Sequence, residues 1–340
     1  MIAFLGDVFL TRPVKVEAEL PGSVVCNLEA PLTMRTNGYP GKINLRTDPR
    51  HFDETFPQAP IAVCLANNHV MDYGEDGLAD TIEHLERRGI RWFGVGTEAD
   101  AFHNPLRLAY DGFDIAMLGY VCPSATPVFA RDGRPGVAPL SLERVAADVE
   151  AAKRAGARRV VVHLHWGAEQ VHLPAPGDVT RARAIADAGA DLVIGHHAHC
   201  VQPFEIHHGK PIFYGLGNAI FPAHRSPSYF DTNGMSQGLK VTRSFPWNRK
   251  SLAVTWNPTS NRVTVRALAF DGASLRSAAG LPRAARLEVG TDAAYAAQYR
   301  RSYRWGKLRH TLAGYLAAPK LPRWSHVVTL RRMLVDRAHR

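Results

Sequence analysis

Cysteine is scarce in this 340-residue sequence, and its four copies (Cys26, Cys64, Cys122, Cys200) lie far apart with no Cys-x-x-Cys pair. A disulfide framework is not expected, and no thiolate metal site is suggested. Long apolar runs are missing too, since none approaches the roughly 18 residues needed to span a bilayer. The opening residues, Met-Ile-Ala-Phe-Leu-Gly-Asp, carry no basic segment and no small-residue cleavage site, so they read as a core strand. These absences make the cytoplasm the expected location. Internal repeats and low-complexity tracts are also lacking. With 46% hydrophobic residues, the chain can bury a sizeable core, which excludes wholesale disorder.

Acidic residues run short only at one end. The whole chain has 41 Lys and Arg against 31 Asp and Glu, yet the segment 300–340 holds 11 basic residues and a single acid, Asp336. The remainder is balanced. We therefore read residues 1–280 as the main domain and 281–340 as a basic, helical C-terminal extension. In it, Leu308, Leu312, Tyr315 and Leu316 stand among Arg and Lys, and Val327–Val335 forms a second apolar-basic stretch. Such a segment folds onto its own domain with a solvated Arg face, lies on an anionic membrane at its inner face, or grips an acidic polymer. No recognised nucleic-acid motif accompanies the charge, so nucleic acid is not favoured.

Short apolar runs alternating with amphipathic segments predict an α/β fold. Strands are expected at Ile2–Leu5, Val24–Leu28, Ile61–Leu65, Val160–Leu164 and Asp191–Ile194. Helices are expected at Glu75–Arg88, stopped by Gly89, at Leu142–Ala155, capped by Ser141, and at Val179–Ala188. Hairpins are predicted for Leu106–Tyr110 with Phe113–Gly119, Phe204–His207 with Pro211–Tyr214, and Leu252–Trp256 with Val263–Phe270. The mixture fits two packed sheets with helices outside, or a single sheet. Pro123–Pro139 and Pro222–Ser236 read as long loops, serving either as lids or as mobile surface.

The chemistry sits at strand ends. Five separate apolar strands each run into residues able to bind a metal: Asp7, Glu29, Asn67-Asn68-His69, His165 with Glu169, and His196-His197-Ala198-His199. In open α/β sheets the carboxyl ends of strands form the ligand crevice. Carboxylates, an amide and imidazoles together suit a pair of borderline divalent ions. Each residue alone has a plainer reading: Asp7 as a turn cap, Glu29 as a loop acid, His165 as a core histidine. The run Gly195-His196-His197-Ala198-His199 is the hardest to explain by packing. His163 shares a strand face with His165 and reads as a packed core histidine. Trp166 is expected to pack. His196 is expected to face solvent or a backbone carbonyl.

The ordered set Gly6-Asp7, Asn27-Leu28-Glu29, Asn67-Asn68-His69 with Asp72 and Gly74, His165-Trp166-Gly167 with Glu169, Gly195–His199, and Tyr214-Gly215-Leu216-Gly217-Asn218 resembles the CapA family. That family is associated with capsule and poly-γ-glutamate biosynthesis and is similar to the calcineurin-like metallophosphoesterases. The resemblance runs from Met1 to about residue 238. It implies a four-layer α-β-β-α sandwich and one or two divalent ions (Mn, Fe or Zn) held by Asp7, Glu29, Asn68, His165, His197 and His199. It further implies His69 beside the leaving group, Glu169 and Asp72 as orienting groups, and Asn218 donating to substrate or bracing a loop. One departure stands out: the wider superfamily opens with Asp-x-His, and here Phe9 takes the histidine's place. Glu29 also stands where a bridging Asp belongs, so one metal site lacks an imidazole. The implied activity is hydrolysis of a phosphoester by a metal-activated water. The alternatives are a γ-glutamyl amide hydrolase or transferase, and a non-catalytic protein that binds acidic polymer or assists a synthase. The expected partner is an acidic or phosphorylated small molecule or a γ-glutamyl polymer.

Overall fold

Period-two alternation along the central strands decides which side chains meet. The computed structural model describes residues 1–97, 105–230 and 236–317. Along the strand Ala157–His165, Val160, Val162 and Leu164 face one way and join the helices, whereas Val161 faces the other sheet. His163 and His165 share the face of Val161. The next strand, Leu192–His196, does the same with Leu192, Ile194 and His196.

Among the described residues there are two large sheets. The first is nine-stranded, in the order Lys15–Val16, Ser274–Ala278, Arg262–Phe270, Lys250–Asn257, Ile2–Val8, Ser23–Leu28, Ala62–Cys64 and Arg91–Phe93, with Asn218–Ile220 also paired to Ile2–Val8. The second is six-stranded: Phe204–His207, Lys210–Phe213, Leu192–His196, Ala157–His165, Phe113–Val121, Leu106–Tyr110. Neighbours from Ile2–Val8 to Arg91–Phe93, and from Phe113–Val121 to Lys210–Phe213, are parallel, so their carboxyl ends gather at one edge.

A shared core of Phe4, Cys26, Cys64, Met117, Val161 and Ile194 joins residues of both sheets. The other face of the six-stranded sheet is covered by the helices Leu142–Arg154 and Pro176–Asp187 through Val145, Val149, Val179 and Ile185. Each fully buried aliphatic contributes about 1.5–3 kcal/mol by leaving water. On the nine-stranded side, Phe52, Leu78 and Leu85, from the helices Pro49–Thr55 and Gly74–Arg87, join the shared core. Exposed Arg262, Thr264 and Arg266 mark a margin of that sheet that meets solvent. Ser141 caps its helix by accepting from Arg144 N–H, as its position predicts.

Two expectations change. Pro222–Ser236 is not a plain loop, because His224–Phe230 pairs antiparallel with Ser236–Thr242. In Pro123–Pro139, a short turn of 3-10 helix at Pro123–Ala125 precedes Gly136–Val137, which pairs with Val95–Gly96. A helix Ala293–Ala317 follows the strand Ser274–Ala278 and a short 3-10 turn at Arg283–Arg286. The stretch Val327–Val335 lies outside the described residues. Among those described, no helix is long and apolar enough to cross a membrane.

Candidate metal centre

Asp7 lies within its strand and not beyond its end, between Asn27 on one neighbour and Asn218 on the other. Gly6 makes this arrangement reachable: a Cβ there would fall 1.8 Å from the Gly217 carbonyl oxygen. The Asp7 N–H donates to that carbonyl at 3.0 Å. Its side chain is fully buried, with Oδ1 accepting from Asn27 Nδ2 at 2.9 Å and lying 3.1 Å from His196 Nδ1. His196 is therefore not directed at solvent or a carbonyl. The strand extends through it, which turns its ring inward to Asp7. Behind it, His163 stacks on His196 with the planes 8° apart and packs against Phe4 and Phe93, as a core histidine.

Glu29 follows the strand Ser23–Leu28 and is fully buried, yet neither of its carboxylate oxygens has a hydrogen-bond partner. Around it stand His165 Nε2 and His199 Nε2, each 3.6 Å from Oε1. His165 Nε2 is 2.8 Å from Asn68 Oδ1 and 3.1 Å from His197 Nδ1. On the other side, His199 Nδ1 is 3.6 Å from Asp7 Oδ2. Two donors bound at about 2.1 Å to one ion, with angles between roughly 90° and the tetrahedral value, are about 3.0–3.4 Å apart. The observed separations bracket that range. Two groups of donors share Glu29, namely Glu29, His165 and His197 with Asn68 beside them, and Asp7, Glu29 and His199; a further group of Glu169, His197 and His199 lies toward the mouth. The residues fit divalent ions, with nitrogen and oxygen donors and no thiolate. Phe9 packs its ring on Phe221 and His224 and adds nothing to the second group.

The local backbone is held in uncommon conformations. His197 and His199 have φ of 83° and 52°, in the left-handed region that costs of order 1–3 kcal/mol for a non-glycine residue. That turn aims both rings back into the cluster. Asn67 secures the neighbouring turn, accepting from the N–H groups of His69 and Val70 and donating to Leu28 O.

The rim carries the remaining residues singled out from sequence. His69 Nδ1 lies 2.6 Å from Asp72 Oδ2, which also accepts from Leu45 N–H, and the Lys42 ammonium is 2.5 Å from the other Asp72 oxygen. Asn218 Oδ1 is 2.9 Å from His199 Nδ1, and its amide donates to Asn248 O, so both polar ends are engaged. Glu169 is exposed at the mouth. A cleft of about 160 Å³ is lined by His69, Glu169, His199 and Asn218, with Phe221 and Arg243 on its walls. Trp166 is buried and donates to Tyr214 O, as packing predicts. Sequence reasoning assigned no role to Asn27 or Lys42, and it grouped Asn67 with the metal-capable strand-end residues where the structure uses it to hold a turn. Asn27, two before Glu29, is the one whose position in a strand end carried a signal.

Electrostatics follow from burial. It pushes the Glu29 carboxyl well above the ordinary range, helped by Asp7, Glu169 and Asp72. Burial also takes His165 well below the usual histidine value and His197 to about 4, so both rings are neutral and able to ligate at pH 7. For Asp7, burial opposes ionisation, but the His196 hydrogen bond and the fields of His196 and His199 outweigh it and lower its pKa. Crowding likewise opposes ionisation of Glu169, and His199, His197 and Lys307 hold it at about 2.

An α/β protein with a buried His/Asp/Glu cluster at the parallel strand ends is what the fold and site define. Residues 1–223 match the family described as bacterial capsule synthesis protein PGA_cap, and the chain belongs to it. It is 32% identical over 238 residues to the PGA biosynthesis protein CapA of Bacillus subtilis, covering 64% of this chain and 62% of that one. With the capsule biosynthesis protein CapA of Bacillus anthracis it shares 34% identity over 160 residues, 46% of this chain and 39% of the other. The chain thus spans less than two thirds of these relatives. Among solved structures, a 5'-nucleotidase precursor from Thermus thermophilus aligns at 14% identity and a TM-score of 0.43, over 91% of this chain and 59% of that one.

Proposed function

We propose that this chain is a metal-dependent hydrolase of acidic or phosphorylated substrates, with a phosphoester as the bond attacked. One observation carries the reading: the buried Glu29, whose two oxygens lack any hydrogen-bond partner, faces Asp7 and three imidazoles. A buried carboxylate in that state is costly unless a cation meets it. Glu29, Asn68, His165 and His197 would hold one ion, and Asp7, Glu29 and His199 a second, with Mn, Fe and Zn the metals such donors suit. A divalent ion there supplies Lewis acidity and lowers the pKa of a water.

The chain's own residues do the rest. Asp72 fixes His69 through Nδ1, which leaves Nε2 toward the cleft to donate a proton to the departing oxygen. Lys42 pairs with the other Asp72 oxygen and so helps to fix the carboxylate that orients His69. Asn218 sets the His199 ring by accepting at Nδ1, turning Nε2 toward Glu29. Glu169, anionic at the mouth, steers the substrate's orientation and repels a misplaced anionic group.

A second reading, a non-catalytic protein that binds acidic polymer, draws on the three-donor group, where Phe9 packs away from the cluster. The test is a manganese titration of the purified full chain, followed by assays on bis(p-nitrophenyl) phosphate and γ-glutamyl-p-nitroanilide. Turnover of the phosphodiester, lost in Asn68→Ala and His165→Ala and reduced about 10²–10⁴-fold in His69→Ala with metal retained, supports the first reading. Metal binding without turnover of either compound overturns it in favour of the second.

A further inference from the structure

The helix Ala293–Ala317 lies beyond the residues matched by the family, yet it is seated on the segment that carries Glu169. Gly306 is buried, and a Cβ on it would come within 2.6 Å of the Gln170 carbonyl oxygen, so the helix backbone rests directly on that peptide. Three further contacts hold it there. Tyr295 OH donates to Pro174 O at 2.9 Å. Arg309 Nη2 lies 2.8 Å from His172 Nε2, with its guanidinium 4.1 Å over the Trp247 ring. Trp247 Nε1 in turn donates to Gln170 Oε1 at 3.1 Å. Gln170 itself has φ of 66°, an uncommon value for a non-glycine residue, which the docked helix helps to maintain.

This seating determines what faces the cleft. His310 lines it together with Arg243 and Glu169. Lys307 stands three residues before His310, hence on the same side of the helix, and is half-buried next to Gly306. Arg309 is committed to His172 and Trp247, whereas Lys307, its ammonium 5.8 Å from the centre of the Tyr303 ring, is near enough to Glu169 at the mouth for the two charges to interact. Resting on the hydrolase reading above, we propose that this helix is a wall of the active-site cleft and that Lys307, with His310 and Arg243, receives an anionic group of the substrate, a phosphate or a carboxylate. Lys307 then acts in specificity, and Arg309 and Gly306 as positioning residues for it.

Calorimetry on the full chain tests this, with inorganic phosphate in one arm, glutarate in the other, and manganese binding measured separately. Lys307→Glu is expected to weaken at least one anion about tenfold or more, and Lys307→Gln about threefold, while Lys307→Arg restores it. Arg301→Glu makes the same charge change at an exposed site of the helix and is expected to stay within about twofold of wild type. Manganese affinity should be unchanged throughout. Loss of phosphate alone assigns a phosphorylated group, and loss of glutarate alone a carboxylate. Should Lys307→Gln bind both anions as wild type does, or Arg301→Glu lose as much as Lys307→Glu, the proposal falls. A wild-type chain that binds the anions but no manganese would sink the hydrolase reading and leave this one standing.

Discussion

The two halves of the cluster differ in completeness. One half has the carboxylate of Glu29, the amide of Asn68 and two imidazoles, His165 and His197, with burial keeping both rings neutral. The other has Asp7, Glu29 and His199, while Phe9, two residues after Asp7, packs on Phe221 and His224. A full donor set binds a divalent ion without help, whereas a three-donor set leaves open positions for water or substrate. If ions bind, the first set would hold one tightly and the second would hold one weakly, with Glu29 common to both sets.

The largest effect is expected at the shared residue. Glu29→Gln should abolish both ions in a metal titration. It should also stabilise the metal-free chain at alkaline pH. Because the folded-state pKa of Glu29 is raised, its contribution is present at low pH and lost as pH climbs through the raised value. Above about pH 6.5, where the stability lent by neutral His165 and His197 is already complete, metal-free wild type should show a falling Tm by scanning calorimetry, and the Gln variant should exceed it by about 2 °C or more at about pH 8. Metal affinity of the wild type should rise over the same window, because binding displaces the Glu29 proton.

Next in size, His165→Ala should weaken the tight ion about 100-fold, while His199→Ala should spare it and remove only the weak one. Equal losses from the two variants, read by calorimetry, would erase the distinction between the halves. The smallest expected change is a gain. Phe9→His restores an imidazole to the poorer group and should tighten the second ion about tenfold, at a stability cost of about 1–3 kcal/mol from lost packing on Phe221.

The main strands and the residues at their ends were legible because apolar runs followed by polar chemistry are local signals. Ser141 as a cap and Trp166 as a packing residue were legible for the same reason. The short pairings Asn218–Ile220 and Gly136–Val137 were not, since two or three residues carry no periodicity. His196 was misplaced by a boundary. Extending its strand to residue 196 sends the ring inward, and one residue of strand length reverses a side chain's direction. Lys42 was invisible because its partner, Asp72, lies across a loop. The seat of the C-terminal helix rests on Gly306, whose lack of a side chain matters only once Gln170 is known to be its neighbour.

The parallel pairing of Asp7 with Asn218 has a consequence in time. Asp7 is synthesised about 200 residues ahead of the strand that flanks it, so their pairing is a non-local closure of the slow kind. Until then the first strand has one open edge beside its acid, and His197 and His199 are unmade. A nascent chain therefore lacks the assembled donor cluster until residues through Asn218 have been synthesised and the two sheets have closed on each other.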